Sequence, residues 1–365
     1  MTEQLADYGL TVGTPAVESV GAITFGPDDI LFVADNERAK ILAVNVDDPS
    51  TQAATGPLDV DRLDTKLASF LGCTVDQLAI RALAVHPRTG NAYLSVMRGR
   101  GDDGRPVLIR VDRATASISE FSLKDVAFAE YNLADAPAPD DPRLDVRLGE
   151  GDEAEFNGRK IRMTRIPIRM SVVTDMAFVN GTLLVAGMSN EEFASNLRRI
   201  PFPFTGDSSA TSLEIFHVSH GKWETASPIR TFVPFGGGDS ILASYTCTPL
   251  VHFPLAELTP GGQARGRTVA ELGWGNQPLD IVSFRQGGSE HLLISHTFYP
   301  LTKIDSATIS GQTPLTEPQE PVGVPREESD LAGISLMANL DDNWILAVQS
   351  DGNGRHLRSL KVDSL

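Results

Sequence analysis

The sequence predicts an all-β chain built by repeating one small antiparallel sheet, and three observations predict it. A short apolar strand, a turn and a second apolar strand recur along the chain, each pair followed by a third apolar run. The 32 Gly and 23 Pro are dispersed rather than clustered, which signals many turns instead of low complexity. Each repeat is too small to bury its own faces, so the copies have to stack side by side. Six copies read clearly and give a six-bladed β-propeller with short helical and loop insertions; the long gaps leave room for a seventh blade.

The first copy is Ile23-Thr-Phe-Gly-Pro-Asp-Asp-Ile-Leu-Phe-Val-Ala-Asp-Asn36, two apolar runs around a turn, followed by Ala39-Lys-Ile-Leu-Ala-Val-Asn-Val46. The second starts at Arg81 and runs through Val96, with a third run from Val107 to Asp112; the third copy starts near Thr174 and ends at Gly187. A degenerate fourth holds Gly236-Gly-Gly and the strand Ile241-Leu-Ala, and the fifth starts at Pro278. The sixth starts near Leu331 and shows three strands before Leu365, so residues 8–12 are expected to add its outer strand and close the ring. Inner strands are expected near Gly21, Arg81, Val173, Ser240, Pro278 and Leu331.

Residues 1–365 read as one propeller domain with insertions at 58–80, 124–169 and 189–204. In the first, Leu63, Leu67, Phe70 and Leu71 fall at helical spacing, and Thr74-Val-Asp-Gln77 reads as a capping box. The second carries a Pro-rich run, an acidic run and a basic run, a surface excursion with room for its own hairpin. The third ends in Ile200-Pro-Phe-Pro-Phe204, where Phe202 and Phe204 suit a rigid apolar wall; it is expected to cover the same end of the propeller as part of the second.

Composition narrows the partners. A net charge of −17 makes nucleic acid and anionic membrane poor partners, and no apolar run approaches the roughly 18 residues of a spanning helix. Two cysteines, Cys73 and Cys247, form no disulfide framework. The start Met1-Thr-Glu-Gln lacks an export signal. The chain is therefore cytoplasmic, or periplasmic or secreted if a signal has been removed. The sequence leaves both open.

The densest chemistry follows the glycine run: Tyr245 and Cys247, two apart on a strand and so on one face, then His252. A phenol, a thiol and an imidazole suit redox or soft-metal chemistry, with His296 as an alternative ligand; the competing reading packs Tyr245 and Cys247 in the core. His217 and His220 are three apart, a chelating spacing on a helix, but on the strand expected here they point opposite ways.

The stretch from Ile23 to Asn36, an apolar strand, Gly-Pro-Asp and Leu-Phe-Val-Ala-Asp, resembles the repeat of NHL and regucalcin/gluconolactonase-like propellers. Residues 189–204, 227–234, 244–250, 269–273 and 278–280 resemble a group of bacterial propeller proteins, which implies fold and no chemistry. The regucalcin-type resemblance implies a calcium-type divalent metal at the channel mouth. Glu18, Asn276, Asp280 and Asp175 would hold it, and water bound on it would attack an ester or lactone carbonyl, with Asp175 and Asp280 as the catalytic carboxylates. The competing reading has Asp175 and Asp280 capping turns at the inner-strand entrance. Copper radical oxidases of propeller form join a tyrosine to a cysteine, and the Tyr245–Cys247 stretch is similar in ingredients. Three readings follow: a small-molecule site at the tunnel mouth working as a metal-dependent hydrolase; a non-catalytic scaffold gripping a protein partner; and a copper-type redox protein.

Overall fold

The computed structural model describes residues 7–50, 54–156, 159–246, 248–273, 275–319 and 322–365. Six sheets, antiparallel apart from Gln263–Arg265 beside Ser209–His217 in the third, form a ring, the six-bladed propeller expected. Numbered in chain order, the inner strands of blades 1 to 6 are Ile23–Phe25, Leu78–Val85, Asp175–Val179, Ile229–Phe235, Pro278–Gln286 and Ile334–Asp341. In blade 4, Ser240–Tyr245 is the second strand and not the inner one that the sequence suggested. Second strands are buried on both faces and carry the strongest apolar signal. The inner strand of this blade, Ile-Arg-Thr-Phe-Val-Pro-Phe, mixes polar residues and a proline into its run.

Alternation along the strands builds the cores between blades. In the second strand of blade 3 (Thr182–Met188), Leu183 and Val185 pack toward blade 1, and Leu184 and Ala186 toward blade 4. In blade 4, Ile241 and Ala243 face blade 3 while Leu242 faces blade 5; in blade 5, Ile294 faces blade 4 and Leu293 faces blade 6. In blade 6, Leu346 and Val348 meet Leu94 and Ile109 of blade 2, whose Tyr93 and Leu108 meet Leu31 and Val33 of blade 1. The ring order is therefore 1–3–4–5–6–2, with the first two blades exchanged relative to the chain.

That exchange explains the closure. Residues 8–12 do not complete blade 6: Thr11–Gly13 pairs outside blade 1, against Val126–Asn132. The latter strand follows blade 2 in the chain, yet returns to pair with the third strand of blade 1, Lys40–Asn45. Blade 6 is completed by residues near Val60, whose N–H and C=O bond Leu357 at 2.9 and 3.0 Å. The helix Leu63–Leu71 follows, burying Leu63 and Leu67 over the core shared by blades 2 and 6, with Phe70 exposed. Thr74 and Gln77 form the expected capping box, on a single 3₁₀ turn. Residues read as the third insertion include Ser195–Pro201, a regular third strand of blade 3.

Buried polar groups tie the blades at fixed points. Asp48, leaving blade 1, accepts from Tyr93 Oη (2.8 Å), Asn91 Nδ2 (3.0 Å) and Arg110 Nε (3.2 Å) of blade 2. Burial opposes its ionisation, but these donors outweigh burial and hold its carboxyl well below the usual range. Asn36 donates to the carbonyls of Met170 (2.8 Å) and Val173 (3.0 Å) and accepts from Val173 N (3.1 Å), joining blade 1 to blade 3. Replacing it by Ala strands three backbone groups. Equilibrium unfolding in urea should show Asn36→Ala destabilised by about 2–3 kcal/mol; a loss below about 0.5 kcal/mol would mean the contact is dispensable.

Candidate functional site at the roofed end of the channel

Within residues 124–169, the strands Leu144–Phe156 and Arg159–Pro167 form a hairpin outside the blades. Its base is fixed at two points of the ring. The base, closed on itself by Ile168 N to Arg143 O (2.9 Å), continues directly into Ser171 and the start of blade 3. Gln277, at the start of blade 5, donates Nε2 to Val146 O (3.0 Å) and accepts from Leu148 N (2.9 Å). Blades 3 and 5 flank blade 4, so the hairpin base lies across the end of the channel where the inner strands begin.

Under this roof lies Arg147. Its Nη2 donates to Ser171 Oγ (2.9 Å) and pairs with Asp145 Oδ2 (3.1 Å), and Ser171 Oγ in turn donates to Asp145 Oδ2 (2.6 Å). The residue is 7% exposed, and its buried Nη1 has no hydrogen-bond partner among the described residues. Burial pushes its guanidinium below the usual value; Asp145 and Glu150 oppose that, and Arg81 of blade 2 adds a repulsion. The guanidinium is thus desolvated and incompletely paired.

Along the inner strands stands a carboxyl pair. Asp175 of blade 3 and Asp280 of blade 5 are bridged by Thr231 of blade 4, whose Oγ1 lies 3.0 Å from Asp175 Oδ2 and 3.3 Å from Asp280 Oδ1. The inner strands of blades 2, 4, 5 and 6 shift register near their starts, which frees backbone N–H groups. Asp175 accepts from Phe232 N and Asp280 from Met337 N, each on the next blade, at 2.8 and 2.7 Å. Burial pushes Asp175 up to about 6 and Asp280 to about 7, the latter also through the charge of Asp175. The pair stores protons near neutrality, and its four oxygens are all engaged.

The remaining expected ligands are dispersed. Glu18 is exposed and pairs with Arg38 (2.6 Å), and it forms no cluster with Asp175 and Asp280. Asn276 is buried against His296, with Nδ2 2.9 Å from Nδ1, while His296 Nε2 meets Thr302 Oγ1 at 3.0 Å. Burial lowers His296 to about 4, which keeps it neutral. Tyr245 is fully buried in the core between blades 3 and 4, its hydroxyl beside Ser195. His252 is on the following antiparallel strand at the level of Leu242, about 10 Å along from Tyr245. A turn at Thr248 carries His252 away instead of folding it back, and its Nδ1 meets Arg267 Nη2 at 3.2 Å. Cys247 lies outside the described residues. Tyr245, His252 and His296 are in three separate environments, so the redox constellation is not assembled from them.

Residues 189–204 span a whole blade instead of covering one end. Asn190 N bonds Asp135 O (2.8 Å) and Arg143 Nη2 bonds Ser189 O (3.3 Å), so this part meets the second insertion at the roofed end. Phe202 and Phe204 are at the opposite end, packed with Phe32, Phe178 and Tyr131. They fill core and wall no site.

His217 and His220 do converge, contrary to the strand geometry expected. The strand Ser209–His217 stops at His217, and a turn with Gly221 at φ +63° leads into Lys222–Glu224. Glu224 Oε2 is 3.1 Å from His217 Nδ1, and Oε1 is 2.7 Å from His220 Nδ1. Burial pushes the Glu224 carboxyl up, but the two imidazoles outweigh it and hold it at about 2. Thr231, Arg147 and Glu224 had escaped the sequence reading; only Glu224 left a signal there, four residues after His220 and past a glycine turn.

Between about pH 4 and 7 the folded chain keeps protons on Asp175 and Asp280 that the unfolded chain releases. The pair therefore costs stability as pH rises through that window, and the cost is complete above about 7. Denaturation midpoints of wild type and Asp280→Asn at pH 5 and 8 test this: the wild type should lose more stability over that interval. Parallel pH dependences would exclude a raised carboxyl.

No family model matches the chain, and no curated protein sequence does. Among solved structures it is similar to the PQQ-bound aldose sugar dehydrogenase of Streptomyces coelicolor, at 12% identity and TM-score 0.36, covering 96% of each chain. A putative glucose dehydrogenase from Thermus thermophilus aligns at 13% identity and TM-score 0.36, over 96% of this chain and all of that one. The Cps50 (Swd1) propeller domain of Myceliophteria thermophila aligns at 10% identity and TM-score 0.40, over 94% of this chain and 84% of that one. These likenesses concern the propeller fold alone.

Proposed function

We propose that this propeller binds a small anionic molecule at the roofed end of its channel, with Arg147 as the anchor. The observation that carries the reading is a buried guanidinium whose Nη1 lacks a hydrogen-bond partner among the described residues, paired directly with Asp145 alone while Glu150 and Arg81 act on it with opposite sign. A buried, incompletely satisfied charge is costly. A ligand carboxylate or phosphate would supply the missing acceptor in the bidentate geometry a guanidinium favours. Ser171 and Asp145 fix the orientation of Arg147, and Gln277 fixes the roof above it.

Metal-assisted ester or lactone hydrolysis, the activity the regucalcin-type resemblance implies, has less support. Asp175 and Asp280 already accept backbone N–H groups, and Glu18 and Asn276 have other partners. Binding is therefore the reading preferred over catalysis.

A thermal-shift screen with mono- and dicarboxylates, sugar acids and sugar phosphates tests the proposal. A ligand at 100 times its Kd stabilises by about 2.7 kcal/mol, enough for a shift of a few degrees. The shift should appear with one anionic class and vanish in Arg147→Gln. No response across the panel, or the same response in the variant, would refute it.

A further inference from the structure

We propose that His217, His220 and Glu224 form a binding site for a divalent transition metal of the zinc type, at the outer corner of blades 3 and 4. The argument starts from the hairpin. His217 pairs with Lys222 and Ile215 with Glu224, so His217 and Glu224 share one face of a two-stranded ribbon. The turn, held by His220 N to His217 O (3.2 Å) and Gly221 N to Val218 O (3.1 Å), carries the second imidazole over the first. The rings lie 3.9 Å apart, centre to centre.

The donor set selects the metal. Two imidazole nitrogens and one carboxylate oxygen lie within 4.8 Å of one another, the only such group of three His, Cys, Asp or Glu among the described residues. Zinc bonds of about 2.0–2.1 Å put tetrahedral ligand atoms about 3.3 Å apart, so the metal fits after small side-chain adjustments. Calcium needs six or more oxygens, which this corner does not offer. Two imidazoles with a carboxylate are a ligand set that binds zinc and leaves a fourth position for water.

Lys222 Nζ lies 3.5 Å from Glu224 Oε1 but is exposed, and the buried side of the cluster is arranged as the outer partners of a metal ligand would be. His217 is 1% exposed, and its second nitrogen, Nε2, is 2.9 Å from Ser219 Oγ and 3.8 Å from Glu271 Oε2. An outer hydroxyl and carboxylate on the far nitrogen of a ligating imidazole fix its tautomer and free Nδ1 for the metal. Glu271 is itself held by Thr248 Oγ1. The His220 side chain is 45% exposed, which leaves an entry path and an open coordination position. Binding replaces the two Nδ1···Glu224 contacts by metal bonds; protons on those nitrogens move to Nε2 or to solvent.

The test is zinc titration of the full chain, stripped with a chelator, in competition with a chromophoric chelator. One equivalent should bind and raise the melting temperature. His220→Ala, at an exposed position that the fold tolerates, should weaken that binding by more than about 100-fold, beyond the loss expected from an outer partner. Glu224→Gln should do the same, while His252→Ala and His296→Ala leave the affinity unchanged. Cobalt in place of zinc should give visible absorption in the wild type and none in His220→Ala. Should the wild type take up no zinc at one equivalent, or His220→Ala bind it as tightly, the three side chains are only a hydrogen-bonded cluster and the proposal falls.

Discussion

Burial on both faces of every blade is the constraint on which the rest of the structure depends. A strand such as Thr182–Met188 offers Leu183 and Val185 to one neighbour and Leu184 and Ala186 to the other, with none left for water. At about 25 cal/mol per Å² of apolar surface, exposing one face of a blade would cost several kcal/mol, so an open arc of blades is not an available state. Only a closed ring satisfies all six. Closure is made by the core that blades 6 and 2 share, Leu346 and Val348 against Leu94 and Ile109, and its outer edge is sealed by Val60 paired with Leu357 and by Leu58 N on Ser359 Oγ (2.7 Å).

Closing the ring moves the polar burden to the inner strands. Where their register shifts, freed backbone N–H groups need acceptors inside protein, and Asp175 and Asp280 supply them across blade boundaries. The same burial that makes these acceptors valuable makes their charge expensive, so both carboxyls rise toward neutrality. Their perturbation follows from a structural task. It marks proton storage and does not by itself mark catalysis.

The repeat was legible because second strands, apolar on both sides, print continuous runs such as Leu-Phe-Val-Ala and Leu-Leu-Val-Ala. Ring order was not legible. Repeats specify what packs against a blade and not which copy does so, and neighbours in the chain are neighbours in space only about two-thirds of the time. Hence the sequence points residues 8–12 toward blade 6, although residues near Val60 hold that edge. Inner strands are the weakest signal, since polar positions such as Arg230 and Thr231 interrupt the apolar run. For the sites, residue type was visible and convergence was not. Tyr245 and His252 look close in sequence, but an antiparallel turn separates them, whereas His217 and His220 meet because the strand ends between them.

Both candidate sites lie at the end of the ring where the inner strands begin, and the chain's topology accounts for this. At that end blade 3 receives the long return from blade 1 through the hairpin, and its outer strand overshoots to His217 before turning into blade 4. The opposite end carries tight turns, such as Asp28 and Asp29 at positive φ in the first hairpin, apolar filling such as Phe202 and Phe204, and the helix Ser306–Gly311. The excursions after Asn45, Pro254 and Asp305 leave from that opposite end, whereas the extra chain at the roofed end is the hairpin and the His217 turn. There, Arg147 is held in a dry position over the channel, and His217 at the rim is backed by a buried carboxylate. Those are positions where a rigid β scaffold can hold charged side chains incompletely paired, because the closed ring, and not the site, supplies the stability.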